Sequence, residues 1–473
     1  MPAPVFPHPA GVGPVDTTRG CGRVVGGAVR ASLTACTRRR RAGGANAKMD
    51  GEPPKLTFRG RFPLVLPGAG RVLRDPEAHW PPEILERSAI EASAAGRRLV
   101  LLAHPEAVNE VLQNQDGAFP RARLHDRMLG ASYGDNLLRG DRADWRRQRR
   151  ELLQPFNAPG AEAPEARIGA ACERILDEWP GTPEGAPVDV IRDARRFTLD
   201  SLWRSFFCDE AQAGAVEPLV ETTALQVDAH EAAPLTAHLE DLRPLAAVAL
   251  DRERARLSAE GGEAAGVDPN TMLLFLHAGH DNVAAALAWA FWLLAEHPQW
   301  QARVREEWRG HDLRTGFDAG AFPAAGAVIS ETLRLYPPIM HLIREVNRDF
   351  EVDGQIIAGG FTAVLSLYAM HRNRQWWDEP DAFRPGRFLK AAPDLRRRLL
   401  WAPFGTGPRG CVGSAFARTE MIVALGTSLD RFELLPGPER MTCRVDFVLR
   451  PEGRPAVTVR PLDRDGTRDA AAR

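Results

Sequence analysis

The chain has 473 residues, 44% of them hydrophobic and 26% charged, which is ordinary for a soluble globular enzyme with one large core or two domains. Its formal charge of −1 gives no global attraction to nucleic acid or to an anionic membrane surface. That balance hides an asymmetry: residues 1–48 hold seven Arg and one Lys against the single acid Asp16, which leaves the remaining chain near −8.

Those first residues are rich in Gly, Ala and Pro, show no sustained period and read as disordered. Arg30 interrupts "VVGGAVRASLTAC", which would otherwise pass for a weak signal core. A start site placed too far upstream is the preferred explanation, so 1–48 is expected to be an extension and 49–473 a single domain. Six cysteines (Cys21, Cys36, Cys172, Cys208, Cys411 and Cys443) lie far apart without a CxxC pair. In a chain this long, that argues for a reducing compartment, the cytoplasm, and against a disulfide framework. No second apolar run is long enough to span a bilayer, so no membrane anchor is expected.

A short extended entry is predicted at "LTFRGRFPLVLPGAG", and helical spacing follows over 104–116 and 144–154. Between these two helices the Gly- and Arg-rich stretch "FPRARLHDRMLGASYGDN" reads as a long loop. Several helices are expected over 165–260, although 235–270 leaves little room for a full helix ahead of the next element. That element is a long apolar helix, "TMLLFLHAGHDNVAAALAWAFWLLAEH" (271–297), capped by Asp268, started by Pro269 and stopped by Pro298. Its centre places His277, His280, Asp281 and Asn282 where each polar group needs a partner. Downstream, 350–370 alternates around Asp353-Gly354, a hairpin signal, and "RVDFVLRPEGRPAVTVRPL" reads as another hairpin. The whole is mainly α with small β-sheets, and it lacks the Gly-rich phosphate loop of a fused nucleotide-binding domain.

The chemistry centres on "PFGTGPRGCVG" (403–413), where Gly405, Gly407, Gly410 and Gly413 surround Cys411 just before a helical run. Such glycines permit positive φ and close approach of the backbone to a bulky group. A cysteine at a helix start lies near unpaired N–H donors, which favours the thiolate, a good single axial ligand for iron, although the loop taken by itself reads equally as a tight turn around a buried, inert cysteine.

The stretch "FGTGPRGCVG" resembles the haem-binding pattern of the cytochrome P450 family, Phe-x-x-Gly-x-Arg-x-Cys-x-Gly. Further motifs occur in the family's order: "WRRQR" with Trp145 and Arg149, "AGHDN" in the long helix, "ETLRLYPP" with Glu331 and Arg334, and "FRPGRF" with Arg387. The resemblance implies a triangular helical domain plus a smaller β-rich region, so 49–473 would be one catalytic domain. It implies haem b with Cys411 as the thiolate ligand, Phe404 beside the sulfur, and Gly405 and Gly413 shaping the loop. Trp145, Arg149, Arg344 and Arg409 would hold the haem propionates, while Glu331, Arg334 and Arg387 would form a buried structural network. Gly279 would let the long helix approach the porphyrin. Asp281 corresponds to the acid that relays protons for O₂ activation, and Asn282 stands where the family usually has Thr.

The implied activity is that of a soluble, bacterial-type monooxygenase placing one oxygen atom from O₂ into a hydrophobic or carrier-bound small molecule, by hydroxylation or epoxidation. Electrons would come from a separate ferredoxin or flavodoxin and its NAD(P)H-dependent reductase, steered by Arg146, Arg147, Arg150 and the arginines at 396–398. Alternatives are a peroxide-driven peroxygenase and a catalytically silent haem-fold accessory protein.

Overall fold

A computed structural model describes residues 82–462, apart from 95–96, 124–132, 141, 154–163, 180–184, 208–234, 260–267, 391–394, 440, 446–447 and 453–456. The basic extension and the predicted entry strand lie outside the described residues.

In chain order, β1 (Ala89–Ala94) and β2 (Arg97–Leu102) are followed by the helices α1 (Pro105–Gln113), α2 (Arg142–Leu153) and α3 (Pro164–Leu176). Next come β3 (Ala186–Val188), α4 (Val190–Phe207), α5 (Leu235–Ala259), α6 (Pro269–Ala295), α7 (Pro298–Trp308) and α8 (Pro323–Leu335). A β-rich stretch holds β4 (His341–Glu345), β5 (Phe350–Val352), β6 (Gln355–Ile357), β7 (Thr362–Ser366) and the single-turn α9 (Leu367–Met370). The chain then forms α10 (Leu395–Leu399), α11 (Ser414–Arg431), β8 (Phe432–Pro436), β9 (Thr442–Val445), β10 (Leu449–Glu452) and β11 (Val457–Pro461).

Helix α6 organises the helical layer. Asp268 caps it by accepting from the N–H groups of Asn270 and Thr271, and Pro269 supplies the preset φ of a first turn. It ends at Ala295, two residues short of the expected stop, and Pro298 instead opens α7. An all-round apolar helix must be covered on all sides. From 271 to 295 only Phe275, Ala278, Gly279 and Asn282 escape burial. Their i, i+3, i+4, i+7 spacing puts them on one stripe.

Helix α5 corrects the expectation of a cramped 235–270 segment, because it runs for 25 residues. Its buried Leu239, Leu242, Ala246, Ala249 and Leu250 recur at helical spacing, and it packs on α6. Pro244 inside the helix is a residue that, read locally, signals a break.

The largest sheet has the order β1-β2-β7-β4, with β2 parallel to β7 and the other pairs antiparallel. The hairpin β5–β6 turns at Asp353-Gly354, both at positive φ (50° and 74°), as the two-residue turn requires. The last predicted hairpin is not a single unit. β9 pairs with β10, but β11 leaves them to lie between β3 and β8 in a separate three-stranded sheet. The backbone of β11 finds its partners far away in sequence, which local alternation does not reveal.

Candidate active site

The cysteine loop is tied at both ends and pinned in the middle. Cys411 donates its N–H to the Phe404 carbonyl at 2.9 Å, and Gly405 donates to Ala402 at 2.9 Å. Only Gly405 (φ 68°) and Gly407 (φ 75°) use positive φ, and Gly410 and Gly413 do not. A Cβ on Gly407 would lie 2.6 Å from the Leu112 carbonyl oxygen, so this glycine lets the loop lie against the end of α1. Gly413 caps α11, and its missing Cβ would meet nothing within 4 Å. Phe404 is half-buried and stands edge-on to Trp401, whose indole N–H is held by the Ser330 carbonyl on α8.

Cys411 itself is exposed. Its thiol is nevertheless raised above the ordinary value, because surrounding protein disfavours the charge more than the Gly413 N–H and Arg149 favour it. The Gly413 N–H acts in the direction expected from sequence, and burial outweighs it. A cation on the sulfur would reverse that balance.

Two guanidinium groups share one indole. Arg149 lies 5.1 Å and Arg409 5.3 Å from the Trp145 ring centroid, and Arg409 also donates to the Gly140 carbonyl at 2.8 Å. Trp145 is buried and one turn before Arg149 on α2, so the indole fixes both cations beside the cysteine loop. Arg344 is buried in β4, donates to the Ile343 carbonyl, and pairs through its backbone with Arg121.

Glu331, Arg334 and Arg387 come together. Arg334 makes a two-point contact with Glu331 at 2.8 Å each, and Arg387 reaches the same carboxylate at 3.1 Å. Glu331 also accepts from the Arg384 backbone at 2.8 Å, while Arg334 donates to the carbonyls of His371, Pro380 and Ala382. Glu331 and Arg334 are wholly buried, and nearly every donor is matched.

The middle of α6 departs most from the sequence reading. Asp281 is clamped by Arg450 of β10, with contacts of 2.6, 3.1 and 3.2 Å, and both side chains are buried. His277 Nε2 lies 3.9 Å from the same carboxylate, and its Nδ1 is 2.6 Å from the Tyr133 hydroxyl. Burial alone would raise the Asp281 carboxyl, but Arg450, and then His277, hold it well below the usual carboxylate range. Asp281 therefore stays ionised as the counter-ion of Arg450 in this geometry. His277 was expected only to need a partner. It is a member of this polar cluster, as are Tyr133 and Arg450, which the sequence reading missed.

A Cβ on Gly279 would come within 2.9 Å of the Leu202 side chain on α4, so its smallness also serves contact between two helices. Thr198 of α4 donates to the His280 carbonyl at 3.1 Å beside this contact. Asn282 belongs to the uncovered stripe, and its amide N–H donates to the Ala278 carbonyl at 2.9 Å. Its carbonyl oxygen is buried without a partner, which fits an ordered water or ligand donor reached by a small rotation.

These residues fit a haem. Among the described residues no three His, Cys, Asp or Glu cluster as a metal site. An iron held by Cys411 must then bring its other ligands with it, as a porphyrin does. Phe206 touches both Phe275 of the uncovered stripe (4.7 Å) and Phe416 of α11 (5.4 Å), so the stripe and the helix that follows Cys411 border one space. Paired guanidinium groups at Trp145 suit two carboxylates on one ligand.

Comparison with known proteins agrees. A family model described as "Cytochrome P450" matches residues 91–219 and 269–458. Cytochrome P450 4F4 of Rattus norvegicus is 27% identical over 425 residues, which is 77% of this chain and 81% of the relative. An ultra-long-chain fatty acid omega-hydroxylase of Homo sapiens is 25% identical over 422 residues, covering 77% of this chain and 80% of that protein. Among solved structures, CYP175A1 from Thermus thermophilus aligns with a TM-score of 0.59 at 25% identity, over 81% of this chain and 95% of that one.

Proposed function

From the premise that the chain belongs to the cytochrome P450 family and is a haem monooxygenase, we propose that it hydroxylates or epoxidises a hydrophobic small molecule with Cys411 as axial ligand. The bound haem would supply thiolate-assisted cleavage of the O–O bond. The observation that carries the reading is an exposed cysteine in a Gly-rich loop, beside two arginines held on one tryptophan. Arg149, Arg409 and Arg344 would take the propionates, and Phe404 would keep water from the sulfur. The N–H of Gly413 moderates the charge on that sulfur.

Over the opposite face, Asn282 is the polar group of the uncovered stripe, and its role is to order a water near the site of O₂ binding. Asp281, being paired, fixes the β9–β10 segment against α6 instead of carrying the proton. The substrate class is a long apolar molecule. Support comes from the apolar stripe with Phe275 and Ala278, and from the fatty acid hydroxylase among the relatives.

Electrons come from a separate carrier, a ferredoxin or flavodoxin with its NAD(P)H-dependent reductase. Arg146, Arg147 and Arg150 are exposed on the helix that holds Trp145, and positive charge there suits an acidic partner. A steep fall of the reduction rate with salt is the expected signature, and a flat response refutes this docking face. Among the described residues no helix is long and apolar enough to cross a membrane. The two named relatives are mammalian and the solved structure is bacterial, and we place the protein in the cytoplasm on its scattered cysteines.

The deciding experiment is the reduced protein with CO. A red-shifted Soret band, lost in Cys411→Ala, is the expected result. A colourless folded protein after haem supply, or a band unchanged in the variant, refutes the assignment. Equal turnover with peroxide and with reductant plus partner would favour the peroxygenase alternative, and haem binding without any turnover would favour the silent one.

A further inference from the structure

The cysteine loop and the Glu331 network are separate in sequence, and His371 joins them. It is wholly buried at the end of the single-turn helix α9. Its backbone carbonyl accepts from Arg334 Nη1 at 2.9 Å. Its ring Nε2 accepts from the backbone N–H of Ala402 at 3.1 Å. Ala402 then accepts from Gly405, and Phe404 accepts from Cys411. A continuous run of hydrogen bonds thus leads from the Glu331–Arg334 pair to the residue that bears the sulfur.

We propose that His371 is a positioning residue, a permanently neutral acceptor that fixes where the thiolate loop begins relative to α8, and this rests on the haem-thiolate reading above. A backbone N–H can only donate, so Nε2 must keep its lone pair and the ring proton must sit on Nδ1. Nδ1 is buried with no hydrogen-bond partner, so the bond that fixes the ring is the one from the Ala402 N–H to Nε2. Burial, then the charges of Arg334 and Arg372, push the imidazole down to about 3, so it does not become a donor at neutral pH. The Ala402 N–H is equally buried, and without the imidazole it has no acceptor and must swing to find one. Two residues later the chain reaches Phe404, whose carbonyl sets the Cys411 backbone, so a swing at 402 is passed to the sulfur.

The test compares His371→Gln, whose side-chain carbonyl can replace Nε2, with His371→Leu, which cannot accept. A core substitution on α3, Ile168→Ala, serves as a control for plain loss of stability. For each haem-loaded protein, the red-shifted and the blue-shifted Soret bands of the reduced CO complex are measured per mole of haem, beside the melting temperature. In His371→Leu the ratio of blue-shifted to red-shifted band is expected to rise several-fold. In His371→Gln, and in Ile168→Ala at a comparable melting temperature, it stays at the level of the unaltered protein. An unchanged ratio in His371→Leu, or an equal rise in Ile168→Ala, overturns the positioning role and leaves the haem-thiolate assignment standing. Absence of the red-shifted band from the unaltered protein overturns both.

Discussion

Replacing Arg450 by Met tests the role given to Asp281. The Asp281 and Arg450 side chains are 2% and 4% exposed and meet at 2.6 Å, so removal of the cation strands a buried carboxylate. The expected cost is about 3–5 kcal/mol at pH 7. The double variant Asp281→Leu/Arg450→Met removes both charges and is expected within about 1 kcal/mol of the unaltered protein, because two apolar groups of similar volume need no partner. Asp281→Leu, which strands the buried guanidinium, should cost a similar amount, so the coupling in a double-mutant cycle should be about 5–9 kcal/mol in magnitude. The sign of the pH effect follows from the depressed carboxyl. Asp281 contributes stability above the ordinary carboxylate range that is lost as pH falls through it, whereas in Arg450→Met the carboxyl is raised and acid relieves the defect. Urea unfolding of the four proteins at pH 7 and pH 5, followed by tryptophan fluorescence, measures the coupling and the acid relief in Arg450→Met, and a further series at about pH 3, below the ordinary carboxylate value, reads the loss from the intact pair. Single losses below about 1 kcal/mol that simply add would refute the clamp and return Asp281 to the role of a free acid.

Three further outcomes are expected. Glu331→Gln leaves Arg334 and Arg387 without their shared carboxylate and should cost about 3–5 kcal/mol in urea unfolding, and haem retention should fall with it. A loss no larger than that of a surface pair would refute a buried network. The unfolded chain binds a proton on His371 at its ordinary value of 6.5 while the native ring, at about 3, refuses it. Stability should therefore fall by about 2 kcal/mol between pH 7 and pH 5 from this residue, and that slope should vanish in His371→Gln. Asn282→Thr should keep or improve the ratio of product formed to electrons consumed. Complete loss of activity with haem intact would count against a water-ordering role.

The legible parts of the molecule are those set by residues close in sequence. The cap at Asp268, the apolar all-round pattern of α6 and the Asp353-Gly354 turn each act through neighbours a few residues away, and their elements formed where expected. The i,i+3 spacing of Glu331 and Arg334 similarly put both groups on one face. Arg450 was not legible. It lies 169 residues from Asp281 in a short strand, and nothing in "VLRPEG" announces that its charge turns inward. The polarity of α6 was visible, but its partner was not.

Composition and local pattern were enough to place a mainly helical fold and the Gly-rich cysteine loop, because those reside in residue type and short spacing, whereas the arginines around the loop were placed by the resemblance to the cytochrome P450 family. Tertiary structure alone decided which charges cancel and which small contacts form: Asp281 with Arg450, Gly279 against Leu202, and His371 between Arg334 and Ala402. The reason is that buried charge and buried N–H groups are governed by whatever lies within a few ångströms, and chain order says little about that distance once helices have packed.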